Sequence, residues 1–121
     1  MSEHQKIDYL EFPARDIPAT KAFFTAAFGW TFQDYGPDYS SFADAGVTGA
    51  GVKGGFYKSD KAASRDGGSV LVVLYSENLE QTQASVEQAG GTIKVPIFAF
   101  PGGRRFHFLE PSGNELAVWS E

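Results

Sequence analysis

The side chains able to do chemistry are few, which narrows the reactions open to this chain. There is no cysteine, so thiolate nucleophiles, disulfides and sulfur-rich metal sites are excluded. Of the two histidines, His4 sits in a polar leading segment and His107 in an apolar, alternating stretch. Glu11 and Glu115 lie in stretches of the same kind. One imidazole and two carboxylates are the non-haem iron triad with a carboxylate in place of one of its two histidines, and equally a set that moves protons without a metal. The plainer reading has Glu11 and Glu115 solvated or paired with Arg105, and His107 simply hydrogen-bonded. No Gly-x-Ser-x-Gly elbow occurs, and no serine partner for His107 is readable. The runs Gly49-Ala50-Gly51, Gly54-Gly55 and Pro101-Gly102-Gly103 do not lead into helices, so they read as turns or bulges rather than phosphate cradles. Arg104 and Arg105 read either as plain surface residues or as holders of an anionic ligand group at a rim.

These residues depend on the elements that carry them. Residues 7–12 alternate as a strand ended by Pro13. Asp16 caps a helix with Pro18 in its first turn, and an apolar stripe of Ala19, Phe23, Phe24, Ala27 and Phe28 runs to a stop at Gly29. Residues 30–35, 39–45 and 51–57 read as three further strands. After an exposed linker at 58–68 the pattern restarts: a β-branched strand at 69–75, and a helix capped by Asn78 and ended by Gly90-Gly91. Strands at 92–95, 104–109 and 115–119 follow. Superposing Asp16 on Asn78 and Gly29 on Gly90 gives helical spans that differ by one residue, so the chain reads as two βαβββ units, 7–57 and 69–121.

At 121 residues this is one domain's worth of chain. Fourteen glycines and eleven phenylalanines fit a turn-rich sheet protein with an aromatic core. A net charge of −5 repels phosphate backbones and anionic lipid, so neither nucleic acid nor membrane is an expected partner. No apolar run is long enough for a signal-peptide core or a membrane span, and a cytoplasmic location is expected.

The stretch Tyr9-Leu10-Glu11-Phe12-Pro13-Ala14-Arg15-Asp16, with Lys21-Ala22-Phe23-Phe24 and Phe28-Gly29-Trp30, resembles the opening of vicinal oxygen chelate proteins, the glyoxalase/bleomycin-resistance/dioxygenase superfamily. Phe106-His107-Phe108-Leu109-Glu110-Pro111-Ser112-Gly113-Asn114-Glu115-Leu116 resembles that superfamily's closing hairpin. The resemblance implies an α+β fold in which two tandem βαβββ modules curl a mixed sheet into a cup, with helices outside and ligand inside, usually in a homodimer. If Leu10, Phe12, Val70, Val72, Leu74, Phe106, Phe108, Leu116 and Val118 face the helices, then Tyr9, Glu11, Leu71, Val73, Tyr75, Arg105, His107, Glu115, Ala117 and Trp119 face the cup.

Metal-dependent members of that superfamily carry His or Glu at positions that fall here on Tyr9, about Gly55, Leu71 and Ala117. Glycine, leucine and alanine offer no donor, and a tyrosine would first have to lose its proton. No metal and no other cofactor is therefore expected. The leading expectation is a bleomycin-resistance-like protein that binds a small organic molecule through Tyr9, Glu11, Tyr75, Arg105, His107, Glu115 and Trp119. Trp30 and Phe32 are either ligand faces or core and dimer contacts. The alternative is a glyoxalase-like lyase, isomerase or dioxygenase that uses Glu11, His107 and Glu115 as acid/base groups or as a displaced metal site. In a third reading the cup is filled by its own aromatic side chains.

Overall fold

The computed structural model describes residues 3–42 and 50–121. The first module comprises β1 (Tyr9–Ala14), α1 (Ile17–Phe28), β2 (Gln33–Asp34), β3 (Tyr39–Ser41) and β4 (Lys53–Lys58). The second comprises β5 (Val72–Tyr75), α2 (Leu79–Gln88), β6 (Thr92–Phe100), β7 (Gly103–Leu109) and β8 (Glu115–Ser120). Each module forms its own four-stranded mixed sheet, β1-β4-β3-β2 and β5-β8-β7-β6. The strand order is the same in both, with the first strand parallel to the last and the other pairs antiparallel. This is the expected tandem α+β architecture.

The helix boundaries follow from local chemistry. Asp16 Oδ1 accepts the Ala19 amide at 3.0 Å, and Asn78 Oδ1 accepts the Gln81 amide at 3.1 Å. Each cap satisfies an amide that the first helical turn leaves over. Gly29, at φ 76°, closes α1, a backbone shape that a β-carbon disfavours.

The aromatic stripe of α1 builds the core. Phe24 stacks on Trp30 at 4.4 Å between ring centroids and packs on Phe56 of β4 at 5.5 Å. Phe23 crosses to Phe108 of β7 at 5.7 Å. A single apolar cluster thus joins Phe12 and Phe56 of one module to Leu79, Val86, Phe106, Leu116 and Val118 of the other. Leu10, Val72 and Leu74 are half-buried against it, as their alternation requires. Val70 is not: β5 begins two residues later and Val70 is 81% exposed.

Several sequence expectations change in detail. Trp30 is core rather than strand, and the strand read at 30–35 contracts to Gln33–Asp34 because the chain leaving α1 folds its indole back on Phe24. Residues 43–45 of the expected third strand lie outside the described residues. β6 continues through Pro96 to Phe100, where a loop was expected, with register shifts between Ile93 and Val95 and between Val95 and Phe98. β6 is an edge strand, so the missing Pro96 N–H need not break a ladder. The linker is not simply exposed either: Ala62, Ala63 and Ser64 are half-buried.

What fastens the linker is the turn Glu110-Pro111-Ser112-Gly113-Asn114. Asn114 Nδ2 donates to Pro13 O and Glu110 Oε2, both at 2.6 Å, while its Oδ1 accepts the Ala63 amide at 2.7 Å. Thr20 Oγ1 of α1 donates to Glu110 Oε1 at 2.8 Å, and the Ser112 hydroxyl accepts the Asp16 amide at 3.0 Å. Burial pushes the Glu110 carboxyl above its ordinary value against the pull of these donors. One turn of the second module is therefore tied to the strand, helix start and linker of the first.

Candidate functional site

On sheet one, period-two geometry puts Tyr9 and Glu11 on the face away from the core. Glu11 pairs in register with Gly55 of β4, and Gly55 in turn with Ser41 of β3. Tyr39 lies on the same face, and its hydroxyl donates to Glu11 Oε2 at 3.0 Å. That donation uses its only hydrogen, so the 2.6 Å contact between the Tyr9 and Tyr39 hydroxyls is a donation from Tyr9. Burial first, then Tyr9 and Glu11, push the Tyr39 hydroxyl well above the usual phenol range, and it stays protonated. A groove of about 460 Å³ runs along β1 and the linker, with Tyr9, Glu11, Tyr57, Lys61, Ser69 and Val72 in its walls. A second, about 300 Å³, lies among Leu10, Phe42, Val73 and Tyr75.

On sheet two, His107 and Glu115 meet. His107 Nδ1 lies 2.8 Å from Glu115 Oε2, and both residues are buried. The other carboxylate oxygen accepts the Arg65 amide at 2.9 Å and Lys94 Nζ at 3.1 Å. Burial alone would raise the Glu115 carboxyl, but hydrogen bonds from His107, Arg65 and Lys94, with the lysine charge, hold it down at about 2. The same hydrogen bond raises Lys94. Glu115 is thus an anion at neutral pH, and His107 Nδ1 carries its hydrogen toward it.

The remaining expected residues are placed differently from one another. Arg105 pairs with neither Glu11 nor Glu115; its guanidinium lies over Phe98 and Phe100 at 5.5 and 5.6 Å. Arg104 is bound to Glu80 of α2, so it is not a rim group. Tyr75 packs edge-on against Trp119 at 5.1 Å, and Phe100 extends the cluster. This face of sheet two is therefore partly covered by its own rings. Glu11 does not join His107 and Glu115: the described residues contain no group of three His, Asp or Glu placed to hold a metal. Tyr39, Lys94 and Phe98 were missed. The alternation of Tyr39 and Ser41 opposite a glycine was the one signal that could have found Tyr39.

The four superfamily ligand positions do not fit a divalent ion. The Tyr9 hydroxyl is engaged with Tyr39, and a β-carbon on Gly55 would land on the Tyr39 hydroxyl. Leu71 has no donor, and Ala117 is a buried methyl against the sheet. The strand glycines serve close approach instead: a β-carbon on Gly54 would strike Phe42 and the Leu10 carbonyl, and one on Gly103 the Ser120 carbonyl.

The model of the Glyoxalase/Bleomycin resistance protein/Dioxygenase superfamily matches residues 6–118. The chain belongs to this superfamily. Solved glyoxalase-family structures share its fold. A glyoxalase-related enzyme from Fulvimarina pelagi superposes with a TM-score of 0.77 at 16% identity, covering 98% of this chain and 89% of its own. A glyoxalase/bleomycin resistance protein/dioxygenase family enzyme from Burkholderia phytofirmans PsJN gives 0.74 at 15% identity, over 95% and 98%. Lactoylglutathione lyase from Agrobacterium tumefaciens gives 0.68 at 16% identity, over 98% and 96%. No curated protein sequence matches the chain.

Proposed function

We propose that this superfamily member is a cytoplasmic, homodimeric, single-domain protein that binds a small organic molecule in the groove along β1, without a metal. The groove carries the reading. Its volume of about 460 Å³ suits a small ligand, and its apolar walls hold a few fixed polar groups in the Tyr9–Tyr39–Glu11 chain, Lys61 and Ser69. The hydroxyl chain holds the Glu11 carboxylate in place, so a ligand donor meets a pre-oriented acceptor between the Tyr9 and Tyr57 rings. Exposed Val70, Val73 and Tyr75 beside the open edge of β5 support a partner copy covering that edge. No helix among the described residues is long and apolar enough to cross a membrane.

A second reading, a lyase or isomerase, draws on the His107–Glu115 pair alone, a base whose orientation a carboxylate fixes. Glu11 has no part in it.

Ligand-observed NMR with neutral and cationic aromatic fragments tests the first reading. Fragments that bind the wild type and lose affinity in Glu11→Gln and Tyr57→Ala support it. Binding that ignores both substitutions refutes it. Sedimentation at several concentrations tests the dimer.

A further inference from the structure

Two nitrogens of β7 are shielded from solvent and have no hydrogen-bond partner among the described residues: Arg105 Nε and His107 Nε2. Residues two apart on a strand point to the same side, about 7 Å from each other. One ring covers both, since Phe98 lies 5.5 Å from the Arg105 guanidinium carbon and 5.9 Å from the His107 ring. Buried donors and acceptors are almost always satisfied, and these two are close enough for one partner to serve both.

The charges say which partner. Lys94 is matched by Glu115 and Asp66, and Arg104 by Glu80. Arg105 has no carboxylate among the described residues, and the flanking Phe98 and Phe100 faces fix its position without neutralising it. Glu115 is already saturated by His107, Arg65 and Lys94. With its Nδ1 hydrogen directed at Glu115, His107 presents a lone pair at Nε2. A proton taken there from solvent makes an imidazolium that Glu115 neutralises, and turns Nε2 into a second donor.

We propose that Arg105 and His107 form an inner subsite for the carboxylate of a small organic acid. One carboxylate oxygen accepts from Arg105 N–H and the other from protonated His107 Nε2, so one proton enters with each ligand and every charge in the cluster finds a partner. Neither residue lines the groove along β1, so this subsite goes beyond the reading above and stands on its own observations. Phe98 has to swing aside. It stands next to the register shift between Val95 and Phe98, where β6 departs from regular pairing.

With only two histidines in the chain, ¹⁵N NMR reads His107 directly, His4→Gln fixing the assignment. The probes are acetate, benzoate and the neutral isostere benzamide. The carboxylates are expected to move the Nε2 resonance to the protonated range. Calorimetry in buffers of different ionisation enthalpy should show one proton taken up, and benzamide should do neither. Arg105→Gln should weaken carboxylate binding roughly 10- to 100-fold, whereas Phe98→Ala, which removes the cover, should strengthen it. A His107 ring that no carboxylate moves, in the wild type and in Phe98→Ala, overturns the proposal, as does an equal response to benzamide. Neutral fragments still responding to Glu11→Gln would then leave the groove reading standing; fragments that bind nowhere would remove both.

Discussion

The Tyr39 hydroxyl occupies the space that any side chain on Gly55 would need. Antiparallel pairing of β3 with β4 carries the tyrosine over the glycine, and the Glu11 and Tyr9 contacts hold it there. Gly55→Ala should expel the phenol and cost about 1–3 kcal/mol. Tyr39→Ala should relieve that clash, so the double variant should lose less than the sum of the two. Additive losses in a denaturation double-mutant cycle would show that the two residues do not share this space.

The buried Glu115 carboxylate predicts an acid-sensitive step. Its folded value of about 2 lies below the ordinary 4.5, so it contributes stability above pH 4.5 that is lost as pH falls toward 2. The full contribution is on the order of 3 kcal/mol. Glu115→Gln should flatten the stability profile across that window, and Lys94→Met should move the step to higher pH. A Gln variant with the wild-type acid slope would assign the step to other carboxylates.

The turn that joins the modules should be costly to cut. Asn114→Ala leaves Pro13 O, the Ala63 amide and a Glu110 oxygen without their partner, a loss of about 3 kcal/mol or more. Ser112→Ala should cost about 1 kcal/mol. Urea midpoints at unchanged m-value measure both, and equal midpoints for the two variants would argue against Asn114 as the joint.

Gly91 tests the shared core. A β-carbon there would lie 2.7 Å from Val86 Cγ1 and 2.8 Å from the Phe23 ring, so Gly91→Ala should displace Phe23 from Phe108 and cost about 1–3 kcal/mol. Near-ultraviolet circular dichroism should weaken as the aromatic packing loosens. An unchanged spectrum with unchanged stability would place Phe23 elsewhere.

Short-range rules made much of this protein legible in advance. Asp16 and Asn78 cap helices because a side-chain oxygen reaches amides three residues on, and Gly29 ends one because it accepts φ 76°. Alternation sorted Phe12, Phe106, Phe108, Leu116 and Val118 to the core for an equally local reason. The strand and turn motifs pointed to the superfamily, and the donor-free positions Gly55, Leu71 and Ala117 could be read from residue type.

Which side chains meet on the sheet faces away from the helices was decided only in three dimensions. Glu11 took Tyr39, 28 residues away, rather than His107 and Glu115. Glu115 took Lys94 and the Arg65 amide, while Arg105 took two phenylalanine faces. The closing turn reached back to Pro13, 101 residues away. Alternation assigns a side chain to a face; strand register, the bulges of β6 and the placement of one sheet against the other select its neighbour on that face.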